Sequence, residues 1–345
     1  MLASNEWMDA VLLATRDLTP TVREFTFQPS RPIRSYPAGS HILIGVSIDG
    51  REDVRSYSLT GAGRDGSLSI AVKRVEPGRG GSRWMFGLEA GAALRISAPR
   101  SNFNLSASGR SYLLIAGGIG ITPLRGMATI LKRRGVDIRF LYGARSADEL
   151  AFADALRDEL GDRLAVFLDE KGERPDLAAE FAALPPDAEA YVCGPLGLLK
   201  AAQKTWQAIG RDPTRLRYET FGSASGGEAR PFVVRLPDLD LEVPVAAGQT
   251  MLDALEEAGV AVLSDCRKGE CGLCVLEVVE HEGPLDHRDV FLSEEQHHEG
   301  RKICACVSRA EGGRLTVLPT YRFDTVFDLD KARGVNWKGV KQETA

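Results

Sequence analysis

The sequence predicts a multidomain protein: an antiparallel β-barrel, then an α/β domain with a parallel sheet, then a small α+β domain built around clustered cysteines. Three observations carry this. The chain has 345 residues, more than one ordinary core accommodates. Its texture changes near Ser111 from short strands broken by glycine and proline to strands alternating with helices. Finally, five of its six cysteines lie beyond residue 265.

In the first region, "DAVLLATRDLT", "TVREFTFQP", "HILIGVSI", "RSYSLTG", "GSLSIAVKRV" and "ALRISAP" read as strands of an antiparallel sheet or barrel. From Ser111, "YLLIAGG" precedes the helical "TPLRGMATILKRRG", "IRFLYGA" precedes "ADELAFADALRDELG", and "AEAYVCGP" precedes "LGLLKAAQKTWQAIG". Such alternation implies parallel strands with helices on the sheet faces. A Gly/Ser-rich joint follows in "FGSASGGEARP". Beyond it, "FVVRLPDLDLEVPV" reads as a hairpin and "MLDALEEAGV" as a short helix. The expected domains are 1–108, 109–224, a linker at 225–229, 230–320, and a tail at 321–345 without clear periodicity.

Composition, at 43% apolar and 26% charged residues, excludes fibrous and wholly disordered classes. The amino-terminal stretch lacks a basic n-region, and "YLLIAGGIGITPL" is too short and glycine-rich to span a bilayer. A cytoplasmic protein without membrane partner is expected. A net charge of −5 argues against nucleic acid, and the acidity is concentrated from Arg230 onward, where 21 acidic residues face 14 basic ones. In a reducing compartment, clustered cysteines point to metal ligation or redox chemistry rather than disulfides.

Cys266, Cys271 and Cys274 follow the Cys-x4-Cys-x2-Cys spacing of plant-type [2Fe-2S] sites. Two irons need four thiolates, and Gly269 and Gly272 permit the tight loop on which three can converge. A zinc site would more often show two Cys-x2-Cys pairs or cysteine with histidine. Cys304 and Cys306 both compete for the fourth position; on a strand they would share a face. His297 and His298 read as surface residues. Residues 230–320 resemble the plant-type ferredoxin family, which implies a β-grasp fold, and "CVSRA" resembles the run from the fourth ligand onward in reductase-linked members, which favours Cys306.

"RSYSL" alone would be an ordinary strand. Together with "GRGGS" it resembles the flavin domain of the ferredoxin-reductase family, a likeness that extends over roughly residues 8–224. It implies that Arg55 pairs with a flavin phosphate, that Tyr57 packs on the isoalloxazine, and that Ser58 approaches N5, with Ser56 and Lys73 alongside. Gly80, Gly81 and Ser82, just ahead of a helix, suit a phosphate cradle. The compact "GRGGS" resembles the FMN-using branch, so FMN is expected, with FAD the alternative.

"LLIAGGIGITPL" places Gly118, Gly120 and Thr122 between a strand and a helix. It departs from Gly-x-Gly-x-x-Gly and resembles the turn of ferredoxin reductases. "YVCGP" is similar to the same family's later strand end, implying that Cys193, Gly194 and Pro195 lie beside the nicotinamide. Ser58, Thr122 and Cys193 are then the orienting residues of hydride transfer. Arg145 could hold a 2′-phosphate and Asp148 a ribose hydroxyl; the resemblance favours NADH. Phe221, in "YETFGS", is the candidate for the flavin face opposite Tyr57.

The domain order, with the ferredoxin last, resembles the phthalate dioxygenase reductase family and the vanillate demethylase and carnitine monooxygenase reductase components. The resemblance implies an NADH-dependent reductase that passes single electrons through a flavin and a [2Fe-2S] cluster to a terminal Rieske-type oxygenase. The competing readings are delivery to a cytochrome P450 or separate ferredoxin, and a redox-sensing or zinc-stabilised binding protein.

Overall fold

A computed structural model describes residues 7–33, 35–62, 66–76, 78, 80–221 and 230–319. The expected linker at 225–229 and tail at 321–345 lie outside the described residues. The chain divides into two compact units, Met1–Glu219 and Thr220–Ala345.

The first unit opens with β1 (Trp7–Thr19), β2 (Val22–Pro29), β3 (His41–Ile48), β4 (Arg51–Ala62) and β5 (Leu68–Lys73), then the short helix α1 (Gly81–Phe86) and β6 (Ala93–Ser97). All neighbours are antiparallel in the order β1-β2-β5-β4-β3-β6, and β6 pairs back onto β1. Alternation in β3 turns Ile42, Ile44 and Val46 inward, where they meet Phe25, Phe27, Leu68 and Ile70. Each such side chain contributes about 1.5–3 kcal/mol through burial.

The same unit continues with β7 (Ser111–Gly117), α2 (Ile121–Arg134), β8 (Asp137–Ala144), α3 (Ala153–Leu160), β9 (Leu164–Leu168), α4 (Leu177–Ala182), β10 (Glu189–Cys193), α5 (Leu196–Ala208) and β11 (Leu216–Glu219). The five strands are parallel in the order β11-β10-β7-β8-β9. Tyr112 through Ala116 are buried without alternation, as a central strand covered on both faces requires. Helix α2 buries Ile121, Leu124, Met127, Ala128 and Leu131 along one stripe and stops at Gly135 in the left-handed conformation. The strand order reverses between β7 and β10, and ligands of open α/β sheets gather at such a switch point.

The second unit comprises β12 (Phe232–Leu236), β13 (Leu241–Val245), α6 (Met251–Glu257), β14 (Val275–His281), β15 (Leu285–Asp286), α7 (Glu294–Glu299), β16 (Lys302–Cys304), β17 (Arg309–Ala310) and β18 (Arg314–Pro319). A mixed sheet runs β13-β12-β18-β14-β16, and β15 pairs with β17. Thr250 caps α6 by accepting from the Asp253 N–H, and the helix buries Met251, Leu252, Ala254 and Leu255 against the sheet. Among the described residues no helix is long and apolar enough to cross a membrane.

Candidate cofactor sites

Arg55, Ser56, Tyr57 and Ser58 lie on β4. The structure brings Arg55 to the start of α1, 26 residues downstream in sequence. A Cβ built on Gly81 would stand 2.6 Å from Arg55 Nε, so a larger residue there would push the Arg55 side chain off the helix start. Gly80, at φ +78°, lies where a Cβ would meet Ile48 Cγ2 at 2.7 Å. Arg55 also pairs with Asp53 at 2.6 Å. The Ser82 hydroxyl accepts from the Val75 N–H at 3.1 Å and so closes the loop ahead of α1. Burial pushes the Tyr57 phenol far up, partly opposed by the Arg55 charge, and leaves it neutral. The Ser56 and Ser58 hydroxyls are buried without a hydrogen-bond partner among the described residues. A cationic side chain, a flat aromatic and two orphaned hydroxyls together fit a phosphorylated planar cofactor. Lys73, by contrast, is engaged with Glu149 at 2.7 Å, an ion pair invisible in either motif.

At the switch point the two predicted nicotinamide motifs pack backbone against backbone. A Cβ on Gly120 would lie 2.1 Å from the Cys193 carbonyl oxygen, one on Gly117 2.6 Å from Pro195 Cδ, and one on Gly194 3.0 Å from Gly117 Cα. Gly118 takes φ +53°. The Thr122 hydroxyl donates to the Ile119 carbonyl at 3.0 Å, which fixes the turn from within. Cys193 is fully buried in the core of this domain. Arg145 and Asp148 are exposed just past the carboxyl end of β8. Arg125, which the sequence did not single out, donates to the Thr60 carbonyl at 2.9 Å. It thereby fastens the helix after the glycine turn to the strand that carries Arg55, Tyr57 and Ser58.

In the second unit the loop before β14 gathers the cysteines. Arg267, Gly269 and Gly272 all adopt positive φ. Arg267 is held there by Asp253 at 3.0 Å and Glu256 at 2.6 Å. A Cβ on Gly269 would meet Asp289 Cα at 2.9 Å, and one on Gly272 would meet the Phe291 ring at 2.2 Å. Cys266 Sγ accepts the Lys268 and Glu270 N–H groups, each at 3.4 Å. Hydrogen bonds from the Cys271 and Cys306 thiols hold Cys266 well below the ordinary thiol range. Hydrogen bonds from the Cys304 and Cys306 thiols likewise hold Cys274 below the ordinary thiol range.

The two rival fourth cysteines are not equivalent. Strand β16 ends at Cys304 and a turn over Ala305–Val307 follows, so the pair does not share a strand face as expected. Cys306 shares hydrogen bonds with both Cys266 and Cys274, and Cys304 shares one with Cys274. Soft thiolates with backbone donors aimed at sulfur fit an iron–sulfur cluster. His298 is exposed as expected, but His297 turns inward, to 3.2 Å from the fully buried Asp289. Phe221 lies under the Lys268 ammonium at 5.7 Å.

Residues 9–105 match the oxidoreductase FAD-binding domain, and residues 235–311 match the 2Fe-2S iron-sulfur cluster binding domain. Across nearly its whole length the chain is 36% identical to the heme-dependent oxidative N-demethylase beta subunit of Ectopseudomonas mendocina, covering 89% of this chain and 97% of that protein. The chain belongs to the phthalate dioxygenase reductase family. The solved structure of phthalate dioxygenase reductase, described as modular and as transferring electrons from pyridine nucleotides to [2Fe-2S], superposes with a TM-score of 0.74 at 29% identity, over 90% of this chain and 97% of that one. Another member of such systems, the toluene-4-sulfonate monooxygenase system reductase subunit of Comamonas testosteroni, is 36% identical over 89% of this chain and 96% of its own. Like them, this phthalate dioxygenase reductase homologue is an oxidoreductase with a flavin domain and a 2Fe-2S domain.

Proposed function

We propose that this reductase takes a hydride from NADH and delivers electrons one at a time, through a flavin and a [2Fe-2S] cluster, to a terminal oxygenase in a reducing cytoplasm. The observation that supports the reading is the bond from Arg125 to the Thr60 carbonyl, which ties the helix after the glycine turn to strand β4. When bound, the flavin accepts two electrons together and the cluster one, so the pair converts between the two currencies.

The chain's own residues act by positioning. Arg55 neutralises the flavin phosphate, Gly80, Gly81 and Ser82 frame it, and Tyr57 supplies a ring face. The Ser58 hydroxyl, without a hydrogen-bond partner among the described residues, is available to the reactive edge. Gly118, Gly120, Gly194 and Pro195 shape the nicotinamide turn. Thr122 fixes that turn through Ile119, and Cys193 backs it. Arg145 and Asp148 stand at the ribose end. Cys266, Cys271, Cys274 and Cys306 hold the cluster. FMN is the flavin in this reading, because the compact run over Gly80–Ser82 resembles the FMN-using branch. The matched domain is described as FAD-binding, so identifying the released flavin separates the two.

A Rieske-type oxygenase is the expected acceptor. The name of the heme-dependent demethylase subunit supports a second reading, in which the electrons go to a haem protein. Anaerobic NADH titration of the purified protein tests the proposal. Bleaching of flavin and sulfur-to-iron bands together supports it; a colourless protein holding zinc at its cysteines overturns it. Exchange of Cys306 for serine should lose the cluster bands, while Cys304→Ser should retain them.

A further inference from the structure

We propose that His287, Asp289 and His297 form a binding site for a divalent first-row cation, zinc by its donor set, separate from the cysteine centre. The three side chains come from different places: His287 and Asp289 from the segment after β15, His297 from α7. One ligand atom from each lies within 4.8 Å of the others. Asp289 is 0% exposed, and the side chains of His287 and His297 are 8% and 14% exposed.

Asp289 Oδ2 lies 3.2 Å from His297 Nε2, and Oδ1 lies 3.8 Å from His287 Nδ1. Ligands around a tetrahedral zinc with bonds of about 2.0–2.1 Å are separated by about 3.3 Å; the two Asp–His distances bracket that value, and the set, within 4.8 Å overall, closes on one ion by side-chain adjustment. The imidazole rings stack at 4.4 Å with 18° between their planes. Imidazole nitrogens are the commonest protein ligands of such metals.

Only His297 lies within hydrogen-bond distance of the carboxylate; His287 faces it from 3.8 Å. His287 Nδ1 and Nε2 are both buried with no hydrogen-bond partner among the described residues. A shared cation engages His287 as well. The Asp289 carboxylate is meanwhile oriented by the Ser308 hydroxyl at 3.0 Å and the Leu292 N–H at 2.9 Å, as ligating carboxylates are. Arg288, the neighbouring cation, is engaged by Asp286 at 2.5 Å. The Val290 N–H donates to the Gly269 carbonyl at 3.0 Å, so the segment that holds the cation also braces the cysteine loop.

The test uses the flavin- and cluster-loaded protein. It is treated with chelator, titrated with Zn²⁺ against a chromophoric competitor, and examined by zinc K-edge absorption. The expected result is one zinc per chain with nitrogen and oxygen neighbours only. Affinity should fall roughly tenfold or more in His297→Ala and in His287→Gln, and remain unchanged in His298→Ala, whose side chain is exposed on the same helix. If His287→Gln does not fold, the more exposed His297 decides alone. Sulfur neighbours around the zinc, no uptake at micromolar free zinc, or wild-type affinity in His297→Ala would each overturn the site.

Discussion

Single methyl groups separate tolerated from forbidden changes at the glycines around the cofactor sites. Gly120→Ala would drive a Cβ to 2.1 Å from a backbone oxygen that cannot swing away, whereas a Cβ on Gly126, one turn into α2, would meet nothing within 4 Å. Thermal unfolding should show Gly120→Ala destabilised by about 3 kcal/mol with NADH oxidation lost. Gly126→Ala should be stabilised by about 0.5–1 kcal/mol, since alanine loses less backbone freedom in a helix. The cysteine loop gives a second contrast. At Gly269 the obstacle includes the Asp289 backbone, but at Gly272 it is the half-exposed Phe291 ring, which can rotate aside. Cluster absorbance per chain should therefore collapse in Gly269→Ala and largely survive in Gly272→Ala.

Elements were legible in the sequence where their periodicity was strong. "HILIGVSI" is β3 residue for residue, and "FVVRLPDLDLEVPV" is the hairpin of β12 and β13. Strands β9 and β11 went unread because five and four residues, half-buried at the sheet's two edges, carry almost no alternation. The segment read as one helix from Ala147 breaks instead: a 3₁₀ turn covers Ala147–Glu149, and Phe152 at φ +61° precedes α3. The cofactor motifs were visible because each is contiguous. The contacts that join motifs were not, since Lys73 with Glu149 or His287 with His297 are paired only by folding. Arg309, inside the legible "CVSRA", shows what such a motif conceals. Nearly buried, it donates to the carbonyls of Gln249, Ala246 and Arg230 and stacks on Phe232 at 5.1 Å. Arg309→Ala leaves those carbonyls without their donor and should cost about 3 kcal/mol in denaturant unfolding of the second unit.

For the whole molecule, two compact units imply chemistry that can be uncoupled. Cys271→Ser should abolish cluster absorbance and delivery to the oxygenase while NADH-dependent reduction of a flavin-directed dye stays within about twofold of wild type. Equal loss of both activities would contradict independent modules. Where the second unit begins matters to anyone who wishes to recombine the two. The chain leaving β11 ties itself at once to the cysteine loop: the Thr220 N–H donates to the Glu270 carboxylate, and its hydroxyl to the Lys268 carbonyl at 3.0 Å. A ferredoxin fragment begun after the Gly/Ser-rich run would forfeit both bonds. Chimeras that graft this electron outlet onto another reductase, or fuse it directly to an oxygenase, should carry Thr220 and Phe221 with it and place the new junction ahead of them.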